Sequence, residues 1–299
     1  MKIALTGANS SVGKTLLRHV AEQADIDAVA GVRAQQAVGT LPTSPRITPR
    51  VIRYDVDALT PVFEGVSCVV HLAGILIESK TSDYQTANVA ATQTVVDACR
   101  RAHVNHIVFI SVLGADPGAV NRYFRSKGDA ERVVAGSGIS STIIRTPILL
   151  GPETAGARAL VGLASQTSVK VLGGGHYSMR PLDVDDLSRA ILRCCRTQAD
   201  GVATHELVGP EPTTYRDLIR KTGRLIGHDV SVGSVPVWTA KLGAAIVSRI
   251  RGGGMTPTVV DVITANETVR KNADIDLGVT LTPLSVTLEH LLPTRTDQS

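Results

Sequence analysis

Short apolar runs alternate with amphipathic segments along the first half of the chain. Lys2–Leu5, Ala28–Val32, Val51–Tyr54, Cys68–His71, His106–Ile110 and Ser141–Ile144 have the length and composition of buried strands. Between them, helical spacing of apolar positions begins at Lys14, runs from about Asp83 to Ala102, and recurs from Tyr123 to Ala135. Strands separated by amphipathic helices imply parallel pairing through right-handed crossovers, hence an α/β, doubly wound parallel sheet. Ligands of such sheets sit beyond the carboxyl ends of the strands. After Pro152 the rhythm loosens around Gly173-Gly174-Gly175, Gly209-Pro210-Glu211-Pro212 and Gly252-Gly253-Gly254. Helices are expected there near Asp185–Cys195, Thr214–Ile226, Val237–Arg251 and Thr258–Thr264.

Composition narrows the function classes. With 299 residues and 43% hydrophobic content the chain can bury a core without staples. Its cysteines, Cys68, Cys99, Cys194 and Cys195, show no ligand spacing, so they read as buried small hydrophobes of a reducing compartment, with no disulfide and no metal site. Lys2 leads directly into an apolar strand, and no apolar run reaches the roughly 18 residues of a membrane span. A soluble, cytoplasmic protein is the expectation. The net charge of +4 is scattered and aromatic residues make up 3% of the chain, which argues against nucleic acid as a partner. The 236–250 segment is an apolar-faced helix with cationic edges, expected to pack in a core; its alternative is a peripheral membrane or protein partner surface.

The turn after the first strand, Thr6-Gly7-Ala8-Asn9-Ser10-Ser11-Val12-Gly13, carries the most chemistry. Strand, small-residue turn and helix start aim unpaired N–H groups and a helix dipole at one point, which favours a bound phosphate. The letters admit two nucleotides. Gly7, Ser10 and Gly13 approximate the dinucleotide turn, with Ser10 in place of its middle glycine. Alternatively, Gly13-Lys14-Thr15 is one substitution from a P-loop, with Lys14 as phosphate clamp and Thr15 as magnesium ligand. Only Asp55 among the strand-end residues could then serve as the second, acidic magnesium site.

The longer series decides between them. Thr6-Gly7 to Gly13, Asp55, His71-Leu72-Ala73-Gly74, Asn88, Ser111, Tyr123 to Lys127, and Arg145-Thr146-Pro147 followed by Gly151-Pro152 together resemble the extended or atypical branch of the short-chain dehydrogenase/reductase superfamily. The resemblance implies a Rossmann domain over residues 1–155 that binds NADP, with NAD as the alternative. It implies a smaller C-terminal substrate lobe over 156–292, with segments near 180–208 returning to the sheet; the terminal 293–299 segment reads as a disordered tail. Ser111-Val112-Leu113-Gly114-Ala115-Asp116 and Tyr123 through Glu131 are also similar to proteins related to the 39 kDa accessory subunit of respiratory complex I, in which the nucleotide is commonly a structural or sensing ligand.

By that resemblance the cofactor would be held by Gly7, Asn9, Ser10, Ser11, Val12 and Gly13 at the pyrophosphate. Arg33 is placed to pair with a 2′-phosphate and stack on adenine. Asp55 and Val56 belong at the adenine, Leu72, Ala73 and Gly74 along ribose and pyrophosphate, and Lys127 and Pro147 toward the nicotinamide. Asn88 would lock helix geometry near the site, and His71 reads as packed rather than catalytic. Tyr123 and Lys127, four apart on a helix, share one face, so the ammonium can lower the tyrosine pKa. A tyrosine so placed is a general acid/base for hydride transfer. The polarising Ser or Thr of the family aligns with Val112, one place after Ser111; either Ser111 substitutes or turnover is reduced or lost. His176, Tyr177 and Arg180 are candidates to touch a small-molecule substrate. The expected function is an oxidoreductase or epimerase-like enzyme on a carbonyl or hydroxyl substrate, against a catalytically weak NADPH-binding accessory or sensor protein and, remotely, a P-loop nucleotide binder.

Overall fold

The computed structural model describes residues 1–251 and 255–292; the tail expected over 293–299 lies outside the described residues. In chain order its main elements begin β1 (Lys2–Thr6), α1 (Ser11–Glu22), β2 (Asp27–Val32), β3 (Ile47–Val51), α2 (Val56–Phe63) and β4 (Cys68–His71). A π-helical turn, Gln85–Ala90, runs into α3 (Ala91–Arg101), followed by β5 (His106–Val112), α4 (Arg122–Ala135) and β6 (Ser140–Thr146). The second half contains α5 (Ala155–Ala164), β7 (Ser168–Leu172), α6 (Val184–Thr197), β8 (Val202–Glu206) and α7 (Tyr215–Ile226). It closes with β9 (Ser231–Val235), α8 (Val237–Arg251), α9 (Pro257–Ile263) and α10 (Leu284–Glu289).

Seven strands form one sheet in the order β8-β6-β5-β4-β1-β2-β3, every neighbouring pair parallel. Strand alternation sorts the core into two layers. Ile3 and Leu5 face α1 and α6, meeting Leu16, Leu17, Leu187 and Ile191. Ala4, Ile107 and Phe109 face the other way, toward Leu59, Phe63, Val95 and Val134 of α2, α3 and α4. Each such side chain contributes about 1.5–3 kcal/mol on burial, so a parallel sheet covered on both faces is the arrangement these apolar strands require.

Two expectations need correction. The third strand forms at Ile47–Val51, not Val51–Tyr54: Ile52 N still donates to the Val32 carbonyl at 2.8 Å, but beyond it Asp55 caps α2 and its N–H closes a tight turn on the Arg53 carbonyl, which ends the pairing. Pro49 is accommodated there because β3 is an edge strand, where a missing N–H costs little. The helix expected from Asp83 to Ala102 starts as a π-helical turn, and this wider winding brings the polar Asn88 inward, to 1% exposure.

The chain returns to the sheet late, as β8 pairs with β6 from Val202↔Ser141 to Glu206↔Arg145. The remaining segments build a lobe around the parallel pair β7 and β9, with a third core of Leu160, Val171, Leu218, Ile219, Val232 and Leu288. Its end is pinned to α6, where buried Asp186 accepts hydrogen bonds of 2.7 Å from both the backbone N–H and the hydroxyl of Thr282. All four cysteines are buried free thiols. No helix among the described residues is long and apolar enough to cross a membrane. The 236–250 segment, expected to pack in a core, buries Ala244 but turns Trp238, Leu242 and Ile246, one helical stripe, outward.

A chain of buried hydrogen bonds links the layers at the carboxyl ends of the strands. Thr92 Oγ1 donates to the Asn88 carbonyl at 2.6 Å, so it accepts from His71 Nε2 at 3.0 Å, and His71 Nδ1 in turn accepts from Thr6 Oγ1 at 2.6 Å. The imidazole is therefore neutral, and burial depresses its pKa to about 3.

Two predictions follow from this packing. A Cβ on Gly13 would sit 2.5 Å from the Ala8 carbonyl oxygen, where α1 crosses the end of β1; Gly13→Ala should cost about 1–3 kcal/mol of overpacking, read as a lower midpoint in urea unfolding. Because the folded-state pKa of His71 is depressed, the unfolded chain binds the extra proton between pH 6.5 and about 3, so stability falls as pH drops through that window. The loss should be about 2 kcal/mol by pH 5, and a His71→Gln variant should lack that part of the pH dependence.

Candidate active site

The cofactor-side candidates gather where parallel strands end, at Thr6 of β1, Val32 of β2, His71 of β4 and Thr146 of β6. Gly7 leaves β1 with φ 75°, and a Cβ on it would lie 3.2 Å from Ala73 N, so the turn and the 72–74 segment meet directly. Ser10 is the N-cap of α1, its Oγ accepting from Gly13 N at 3.0 Å. The capping hydroxyl spends the Gly13 N–H but leaves those of Ser11 and Val12 in the first turn, with Asn9 exposed beside them. A dinucleotide pyrophosphate fits this cradle.

The P-loop alternative does not survive the geometry. Lys14 Nζ is held by Glu153 at 2.9 Å, with Arg18 on the same carboxylate, and Thr15 is buried on the core-facing side of α1. Arg33 is exposed immediately after β2, and its charge is felt by the half-buried Tyr54, whose pKa desolvation raises. Asp55 Oδ1 accepts from Ala58 N at 3.0 Å as the cap of α2, with Val56 the first helical residue.

Tyr123 and Lys127 owe their places to the start of α4. Asn121 Oδ1 caps it, accepting from Tyr123 N at 3.0 Å and Phe124 N at 3.3 Å, while its Nδ2 donates to the Thr258 carbonyl at 3.1 Å and ties α4 to α9. Tyr123, 9% exposed, forms part of the wall of a cavity of about 990 Å³ between sheet and lobe. One turn on, Lys127 is 6% exposed, donates to the Ile110 carbonyl at 2.9 Å and sits 4.3 Å above the Phe109 ring. Its ammonium also borders Gly74, 3.9 Å from where a Cβ would stand. Asn88 completes the group: Oδ1 accepts from Ile75 N at 2.8 Å and Nδ2 donates to Ser126 Oγ at 3.0 Å, locking the 72–75 segment onto α4.

Electrostatics depart from the sequence expectation at this pair. Burial lowers Lys127 to about 8, against the pull of Glu131. Tyr123 is raised, not lowered, because burial and neighbouring Tyr84 dominate while the Lys127 ammonium is turned to the Ile110 carbonyl. Tyr84, whose hydroxyl donates to the Leu76 carbonyl at 2.7 Å, has its ring centroid 5.7 Å from that of Tyr123 and was not singled out from sequence.

Ser111 is corrected as well. Consecutive strand residues face opposite ways; Val112 lines the cavity, whereas Ser111 is 1% exposed with its Oγ enclosed and unpartnered among the described residues. It is not placed to polarise a substrate in the cavity. Among the lobe candidates Tyr177 lines the cavity, stacked on Tyr215 at 5.7 Å. Arg180 does not reach it: Nε donates to the Gly209 carbonyl at 2.9 Å and Nη2 to that of Pro210 at 3.0 Å, so its fork holds a loop. His176 is exposed beside Gly174, outside the cavity lining.

The residues missed from sequence lie mostly on the cavity wall. Val262 and Ile263 of α9, Asn266 and Glu267 come from a segment that carries no motif, and only folding brings it over Tyr123. Glu267 Oε2 accepts from Arg180 N at 2.7 Å, and burial raises its pKa. Arg145, within the matched Arg145-Thr146-Pro147, did carry a signal; it lines the cavity gripped by Glu131 at 2.6 Å, with Glu206 at 3.8 Å. Pro147 lines the cavity too. No cluster of metal-ligating side chains occurs among the described residues.

Comparison with known proteins fits this geometry. The model of the NAD(P)H-binding family matches residues 7–172. The ceramide reductase of Caulobacter vibrioides is 23% identical over 271 residues, covering 89% of this chain and 83% of that protein. Subunit 9 of the mitochondrial NADH dehydrogenase 1 alpha subcomplex of Arabidopsis thaliana is 25% identical over 170 residues, 55% of this chain and 42% of the plant protein. The solved structure of MoeE5 with UDP-glucose and NAD has the same fold, with a TM-score of 0.73 at 22% identity over 97% of both chains. The sheet order and the family match together make one assignment: the chain belongs to the NAD(P)H-binding family.

Proposed function

We propose that this protein catalyses NADP(H)-dependent hydride transfer at a carbonyl or secondary alcohol, with Tyr123 as the proton carrier. The observation that supports it most is the position of Tyr123 in the wall of the large cavity, one helical turn from a buried lysine that borders the cofactor segment at Gly74. Gly7 to Gly13 would hold the pyrophosphate, Leu72 to Gly74 the ribose, and Arg33 a 2′-phosphate, which is why NADP is preferred to NAD. When bound, the nicotinamide supplies or accepts the hydride.

In the reductive direction the Tyr123 hydroxyl gives its proton to the carbonyl oxygen as the carbon gains hydride, leaving a phenolate that solvent reprotonates. Lys127, with a pKa of about 8, carries its charge on the neutral and acidic side of that value and borders Gly74, where it would meet the nicotinamide ribose of a bound cofactor. The name of the Caulobacter relative, ceramide reductase, supports the reductive sense. Val112 in place of a hydroxyl-bearing residue, and the raised pKa of Tyr123, favour a second reading: an NADPH-holding accessory or sensor protein without turnover.

Tyr123→Phe separates the two readings. The enzyme reading expects hydride transfer, followed by NADPH absorbance over a panel of ketones, to fall about 10²–10⁴-fold with NADPH affinity unchanged by calorimetry. An active wild type with an equally active Tyr123→Phe variant overturns Tyr123 as proton carrier, and a wild type inert across the panel leaves the accessory reading. Arg33→Ala should weaken NADPH binding about tenfold, the loss of one exposed charge-assisted contact, and NADH binding by much less; equal losses for both would overturn Arg33 as the 2′-phosphate contact.

A further inference from the structure

We infer that the cavity beside Tyr123 takes a large, uncharged and mostly apolar substrate, a long-chain ketone or alcohol, rather than a nucleoside-diphosphate sugar. The inference rests on the proposed reading that this cavity is the substrate site. Its volume of about 990 Å³ lies at the upper end of small-molecule sites. Its walls are dominated by apolar side chains, among them Leu76, Val112, Ile148, Met179, Val262 and Ile263.

Charge decides the class. Among the described residues Arg145 is the one cation lining the cavity, and the carboxylates of Asp116, Glu206 and Glu267 line it as well. The guanidinium is already committed: Nε and Nη2 donate to Glu131 at 3.0 and 2.6 Å, and Glu206 stands 3.8 Å from Nη1. Arg180, which could have answered a phosphate, spends its donors on the carbonyls of Gly209 and Pro210. A diphosphate brought here would lose water, meet carboxylates of its own sign and find no free fork to receive it. An acyl chain meets none of these penalties and gains from every methylene buried, about 0.8 kcal/mol each. The tyrosine pair Tyr177 and Tyr215 adds a flat, amphipathic wall on the lobe side.

Calorimetry on the full chain saturated with NADPH tests this without requiring turnover. 2-Tridecanone should bind more than about tenfold tighter than either UDP-glucose or dodecanoate, a gap of about 1.4 kcal/mol or more. Val262→Asp should abolish ketone binding while Val262→Leu keeps it. The Asp116→Asn, Glu206→Gln double variant should raise dodecanoate affinity about tenfold and leave the ketone unchanged, and it reports even if Val262→Asp fails to fold. UDP-glucose binding as tightly as the ketone, or no ketone binding by protein that still binds NADPH, overturns the inference. Tight ketone binding together with full activity of Tyr123→Phe would uphold the substrate class and defeat the hydride-transfer assignment of Tyr123, so the two failures are distinct.

Discussion

A single run of buried hydrogen bonds holds the site together. It passes from the Thr6 hydroxyl at the end of β1 to His71 at the end of β4, then to Thr92 and the Asn88 backbone carbonyl. The Asn88 side chain carries it to Ser126, whose hydroxyl donates to the Tyr123 carbonyl at 2.8 Å. These residues belong to the strand before the Gly7–Gly13 turn, the strand before the 72–74 segment, the π-helical turn and α4, the helix bearing Tyr123. A buried polar network is stabilising only when each member is satisfied, and this run ties the end of β1, which leads into the Gly7–Gly13 turn, to α4 through hydrogen bonds as well as through the sheet. It also requires a neutral His71, which burial enforces.

Around that frame the two halves of the chain divide the work. The parallel sheet exposes its strand ends on one side, and the helix dipole and free N–H groups of α1 make that side attractive to phosphate. The lobe covers it with α9, the Tyr177–Tyr215 pair and the Glu267 segment, none of which carries a free cation into the cavity. The Gly7–Gly13 turn and the cavity thereby lie in different electrostatic surroundings. The coupling between them is mechanical: Asn121 both caps α4 and holds the Thr258 carbonyl at the start of α9.

What could be read from the residues depended on how local the underlying physics is. The dinucleotide turn was legible because tight turn, cap and helix start occupy consecutive positions, although Ser10 turned out to serve as the cap. The placement of Tyr123 and Lys127 one turn apart on one helix was legible from their spacing, whereas the direction of the Tyr123 pKa shift was not, since burial depends on what packs over it. Ser111 was misjudged by one place on a strand, and one place reverses the face. Arg180 and His176 had suitable chemistry at a suitable distance along the chain, but the 180 side chain found backbone carbonyls first and the 176 side chain faces solvent.

The sequence by itself determined the alternation of strands and helices, the parallel sheet and the tight turn of 7–13 into α1, because periodicity, capping and small-residue turns act within a few residues. Tertiary structure alone decided which side chains face the cavity, how the Arg145 charge is spent and where a segment without a motif, 262–267, comes to lie. Those outcomes depend on contacts between residues far apart in the chain, where burial and competing hydrogen-bond partners set the energy of each group.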